Sequence, residues 1–179
     1  MSTSTHSKWS PDFAPDEVRA VWNGRLSSVS GPLPHAMSAA TRAFLTDVGL
    51  PDDRALPDMI FNHGSSPAAI VRSAGCDRLL ITAARSPIGL AIDLASDRVY
   101  EFNGRESRPD RLFNSNIAAL VYFVGLLNRD VLSLADHSEE VLVPAVARVW
   151  GELLRRDNAA MEGRSPWKAW LDDLGSQYE

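Results

Sequence analysis

A chain of 179 residues with 45% hydrophobic and 23% charged side chains can bury the core of one domain. Its single cysteine, Cys76, excludes an internal disulfide and a Cys-based zinc cluster within one chain. The net charge of −5 arises in the second half, where residues 91–179 hold 15 acidic and 10 basic side chains against 8 and 8 in residues 1–90; this argues against phosphate-backbone binding, which needs clustered Lys and Arg, and suits a basic protein partner.

Residues 1–15 are rich in Ser, Thr and Pro and are expected to form a flexible segment ahead of a single domain at 16–179. The start, MSTSTHSKWSPDF, lacks the apolar run of a signal peptide, so a cytoplasmic location is expected. Pro15 and Asp16 introduce a short helix over 16–22, with Val18, Val21 and Trp22 as its apolar stripe. Ser38 is a plausible N-cap for a second helix in which Ala40, Phe44, Leu45 and Val48 share a face, Gly49 takes a left-handed stop and Pro51 prevents continuation. A short edge strand is expected at Met59, Ile60 and Phe61, and a stronger one in RLLITAAR (78–85).

In IGLAIDL (88–94), Ile88, Leu90, Ile92 and Leu94 alternate with Gly89, Ala91 and Asp93, the period of a strand with one buried face. Ala95, Ser96 and Asp97 supply turn chemistry before a second arm, RVYEF. An exposed face is expected for Asp93 and Glu101, opposite each other across this hairpin. Asn114 is expected to cap a helix running through 117–127, a stretch without a charge that must be covered on nearly every side. It is shorter than the roughly 20 residues that span a membrane.

Ser138 opens a long helix with Val141, Leu142, Ala145, Val149, Leu153 and Leu154 at helical spacing; Pro144 is tolerable near its first turn, where Glu139 and Glu140 are favoured by free N–H groups. Ser165 and Pro166 start a last helix with Trp167, Trp170, Leu171 and Leu174 on one face. Trp22, Trp150, Trp167 and Trp170 are expected mostly in the core. Helices flanking a run of strands, without repeats or βαβ alternation, predict an α+β fold: a mostly antiparallel sheet, simplest as a meander, with N- and C-terminal helices.

Catalytic patterns are missing. HGSS (63–66) is no nucleophile elbow, because there is no G-x-S-x-G between a strand and a helix. His6, His35, His63 and His137 lack metal-ligand spacing, and the adjacent acidic pairs diverge in regular structure, so neither metal nor cofactor is expected. If the chain were an enzyme, Ser65, His63 and Asp58 would be the least poor candidates.

Three motifs in order, TRAFLTDVGLP (41–51), IGLAIDLASDRVYEF (88–102) and LFNSNIAALVYFVGLL (112–127), resemble the SUKH superfamily, and within it the fourth family of immunity proteins. They match its helix with a Gly-Leu-Pro stop, its central hairpin and its aromatic-Asn-Ser start of a long helix. Ser96-Asp97 departs from the usual Gly-containing hairpin turn, and Asn116 stands where a second Ser is common. The resemblance implies a cytoplasmic, non-enzymatic immunity protein that occludes the active site of a cognate polymorphic toxin, often a nuclease or nucleic-acid deaminase. Its alternative is a regulatory or scaffold module of the same fold. Charge and expected exposure single out Asp52, Asp53 and Asp58 in one loop, and Trp170, Asp172 and Asp173 at the C-terminus, as partner-binding candidates. No direct contact with nucleic acid or membrane is expected, and oligomeric state is left open.

Overall fold

The computed structural model describes residues 12–52, 60–63, 69–83, 89–102, 109–134 and 138–176. Its elements run α1 (Pro15–Trp22), β1 (Leu26–Ser27), α2 (Ala39–Asp47), β2 (Leu50–Pro51), β3 (Ile70–Ser73), β4 (Cys76–Leu80), β5 (Gly89–Asp93), β6 (Val99–Phe102), β7 (Arg111–Asn114), α3 (Ile117–Asp130), α4 (Glu139–Arg156) and α5 (Pro166–Ser176). Single 3₁₀ turns, Leu132–Leu134 and Asn158–Met161, flank α4. β3 to β7 form a five-stranded antiparallel sheet in chain order, the expected meander in an α+β fold, and β1 pairs with β2 in a separate two-stranded sheet.

Four strands, β1, β2, β3 and β7, are additions to the expected set. β3 pairs with β4 through a turn in which Ala74 and Gly75 both have positive φ, 51° and 80°, the handedness that matches strand twist. β4 itself ends at Leu80, earlier than expected, and Thr82 beyond it makes a single bridge to Phe61. The β5–β6 turn manages without glycine: Asp97 adopts φ 59°, and the Asp93 carboxylate accepts hydrogen bonds from the Ala95 and Ser96 amides and the Ser96 hydroxyl.

α3 is the axis of the core. All eleven residues from Ile117 through Leu127 are buried, packed in one cluster with Leu79, Leu90, Ile92, Val99 and Phe113 of the sheet. The 18 residues Ile117–Leu134 are apolar enough to cross a membrane by length and composition alone, yet 67% of that stretch is buried inside protein, as in a core helix. α1 crosses α3 at Gly125, where an added Cβ would lie 2.5 Å from Val21 Cγ1 and 2.7 Å from Trp22 Nε1. That approach lets the Trp22 indole donate to the Val121 carbonyl at 2.8 Å. Phe13, expected to be frayed, is instead buried against Tyr122 and Phe123. The Arg156 guanidinium stacks on Phe13 and Tyr122 and grips Glu17 through two hydrogen bonds, at 2.5 and 2.8 Å, so the end of α4 fastens α1.

Asn114 does not cap α3. It ends β7, and the cap is Asn116, whose side chain accepts from the Ala119 amide at 2.9 Å. Asn114 is fully buried and donates to Asp157, while its own carbonyl oxygen accepts from the Trp167 indole at 3.1 Å. Asp157 also accepts from the Ser115 amide and hydroxyl. The Asn-Ser step is therefore a socket for the residue after α4, and it joins β7, α4 and α5. On α4 the buried residues are Leu142, Ala145, Val149 and Leu153, whereas Val141 and Leu154, expected inside, are 43% and 44% exposed. Pro144 falls in the second turn, on a side open to solvent where water can take the carbonyl it deprives of a partner. Ala40, also expected on a buried face, is exposed.

Asp157→Ala leaves three donors without an acceptor and should cost about 3 kcal/mol or more. The check is urea unfolding, with the midpoint lowered at unchanged slope. Gly125→Ala improves helix propensity but drives α1 off α3; it should lower stability by about 1–3 kcal/mol, and a stabilised variant would contradict the close crossing.

Candidate functional site

The buried charges of the sheet lie on the face turned away from α3. Arg78 and Asp93 are paired across β4 and β5 and only 4% and 5% exposed, which corrects the expectation of a solvated Asp93. Glu101 is not opposite it: Glu101 pairs in register with Leu90 and binds Arg111, with Nε 2.7 Å from its carboxylate. The Arg78 guanidinium donates to Asp110, lies over the Tyr100 ring at 4.2 Å, and brings Nε to 3.6 Å from Asp93. Ser73 donates to the same Asp110 oxygen at 2.5 Å. Burial pushes the Asp93 carboxyl up, but the hydroxyl and amide of Ser96, the Ala95 amide and the Arg78 charge outweigh it and hold Asp93 below the usual carboxylate range. Asp93 and Asp110 share the one Arg78 charge, and with Ser73 the group ties β3, β4 and β5 together, although Arg78 Nε, 3.6 Å from Asp93, is buried without a hydrogen-bond partner.

Of the three residues that would serve if the chain were an enzyme, only His63 is among the described residues. Ser65 and Asp58 lie outside them, and both ring nitrogens of His63 are buried without a hydrogen-bond partner, while its carbonyl accepts from Ser30. Among the described residues no group of three or more His, Cys, Asp or Glu side chains is placed to hold a metal ion. A hollow of about 40 Å³ lies between Phe13, Phe44 and the first turns of α2 and α3, room for little more than water.

Of the partner-binding candidates, Asp53 and Asp58 lie outside the described residues. Asp52 is exposed beside β2, its amide donating to the Arg25 carbonyl. Trp170, Asp172 and Asp173 sit together on α5. Trp170 is half-buried, edge-on to Phe113 at 5.1 Å and to Trp167 at 5.8 Å, so the core fixes its ring while part of it stays open. Asp172 and Asp173 are both exposed, but only Asp173, three residues on, shares the side of Trp170; Asp172, two residues on, points roughly the opposite way around the helix. The structure thus puts Trp170 and Asp173 on one side of α5, Asp172 on another, and Asp52 on a different element. Sequence reasoning missed the outward side of α4, where Val143 and Leu154 are 48% and 44% exposed. The signal was present: Leu142, Ala145, Val149 and Leu153 already complete a buried stripe, and neither Val141 nor Leu154 falls on it.

The family model described as SUKH-4 immunity protein matches residues 33–175. Comparison with curated proteins and with solved structures returned no match.

The depressed Asp93 carboxyl fixes the sign of a pH effect. Its folded-state pKa is below the unfolded value, so its contribution to stability is complete above the ordinary carboxylate range, near pH ~4, and is lost as pH falls through the folded-state value. Asp130 and Glu17, lowered by their arginine partners, act in the same direction. Asp93→Asn should reduce stability at neutral pH and flatten its decline on acidification. Urea melts from pH 7 to pH 3 with the same slope in both proteins would rule out a coupled Asp93.

Proposed function

The chain belongs to the SUKH-4 immunity protein family, and we propose from that membership that it binds one cognate toxin domain in the cytoplasm of the producing cell and occludes the toxin's active site. The observation that carries the proposal is the family match over 33–175, which takes in α2, the whole meander and α3 to α5. The toxin we infer is a nuclease or nucleic-acid deaminase. An enzyme that handles polyanions carries basic side chains around its site, and the 15 acidic against 10 basic residues in 91–179 favour approach to such a surface. Inhibition then needs no chemistry from this chain: shape and charge exclude the substrate.

Within that proposal α5 is the contact we favour, with Trp170 as a rigid aromatic anchor, Asp173 beside it and Asp172 further round the helix as acidic groups, and with Asp52, Asp53 and Asp58 as a second, acidic group. A ring held edge-on by two other aromatics loses little side-chain freedom when a partner covers its open part, the property that concentrates binding energy in a few residues. Exposed carboxylates contribute mainly to the speed of encounter, an effect that salt screens.

Co-expression with the toxin encoded beside it should protect cells, and calorimetry should give a stoichiometric complex; neither protection nor binding would refute the immunity role for that toxin. Asp172→Lys should leave the melting temperature near that of the parent and slow association with the toxin at low salt, and adding Asp173→Lys should bring the slowing to roughly tenfold, with the difference shrinking as salt is added. An unchanged on-rate at low salt would remove the α5 acids from the interface.

A further inference from the structure

Every helix but α4 turns its larger apolar side chains inward. On α4, Val143, Ala147, Gly151 and Leu154 follow one another at spacings of four, four and three on the side away from the buried Leu142, Ala145, Val149 and Leu153, with Trp150 at the edge between the two sides. Val143 and Leu154 are 48% and 44% exposed, Ala147 and Gly151 are exposed, and Trp150 is half-buried. A Cβ built on Gly151 meets nothing within 4 Å, so the backbone there is open to contact.

We propose that this face of α4 is where two copies of the chain pair, antiparallel, about a two-fold axis near Ala147. A two-fold interface must complement itself, and this stripe does. Its exposed bulky residues, Val143 and Leu154, are at the ends and its small ones, Ala147 and Gly151, between them, while Trp150 lies at the edge packed against the core, so Val143 of one copy settles over Gly151 beside Leu154 of the other. Charge selects the same arrangement. Glu140 in the first turn and Arg155 in the last lie on one flank of the stripe, both exposed; Arg155 binds Glu152 of its own helix at 2.7 Å, and antiparallel pairing adds Glu140 of the other copy as a further acidic partner, twice. The helix dipoles then run in opposition, the favourable sense. A basic toxin surface would gain from Glu140 but would meet Arg155 unfavourably, which is why a second copy is the better occupant. A single helix pair is smaller than a standard stable interface, so the dimer is a weak one, formed at tens of micromolar and above.

Sedimentation velocity on the full chain at low salt should show a reversible rise toward twice the 19.6 kDa chain mass. Leu154→Glu should abolish the rise while far-UV circular dichroism and the melting temperature stay as in the parent. Glu140→Arg or Arg155→Glu alone should weaken pairing roughly fivefold, and the two together in one chain should restore it, because each re-made pair is intermolecular. A monomer at every concentration, a dimer indifferent to Leu154→Glu, or a double charge swap that fails to restore pairing would each overturn the proposal. So would a monomeric chain whose toxin binding is lost in Leu154→Glu. The sedimentation outcomes do not bear on whether the chain neutralises a toxin.

Discussion

The complete burial of α3 is the constraint to which the other elements answer. A helix with no polar side along eleven consecutive residues has no face to offer water, so the fold must supply cover in every direction: the meander on one side, α1 on another, α4 beyond. The cover is close, and it has to be polar where backbone is met. The Trp22 indole reaches the Val121 carbonyl only because Gly125 removes a side chain from its path. Burial of this much apolar surface supplies the bulk of the stabilisation, and it is indifferent to small rotations and slides of one layer over the next.

Polar contacts provide the discrimination that apolar burial lacks. They are concentrated at three seams: Asp157 in its Asn114–Ser115 socket, Arg156 on Glu17, and Arg78 between Asp93 and Asp110. The first two are consecutive residues at the end of α4 and bind opposite ways, one toward β7 and one toward α1. That single turn therefore sets the rotation of α4, and with it which apolar residues are left outside. In low-dielectric surroundings such contacts are costly to leave half-made, so each favours one arrangement over its near neighbours.

Much of this was legible in the sequence because it rests on local pattern. α1, α2 and α5 each have a cap or proline at the start and an apolar stripe, and the hairpin of β5 and β6 has its two strands and turn residues in sight. The family likeness rested on the same motifs, and the socket explains one of them: aromatic-Asn-Ser is needed by Asp157, 42 residues away from Ser115, not by the helix it precedes. Distance in sequence is what hid the rest. Asp93 reads as a surface acid until Arg78 is placed beside it, and β7 is four residues long with an asparagine at its end. Leu154 fits a helical spacing as well as Leu153 does, and only the rotation fixed by Arg156 and Asp157 decides between them. The partner-binding candidates were chosen on charge alone, and charge marks where a surface is exposed more readily than what it touches.

The family match begins at residue 33, but the fold does not. Phe13, Val18, Val21 and Trp22 lie upstream of that boundary, and they close the side of α3 that the sheet leaves open. Homology and folding thus draw the edge of this unit in different places. A chain trimmed to the family's limits would keep every recognisable motif and lose the lid of its own core, so relatives that lack an equivalent of α1 must seal the Gly125 groove with something else: a bulkier side chain, a different terminus, or another protein.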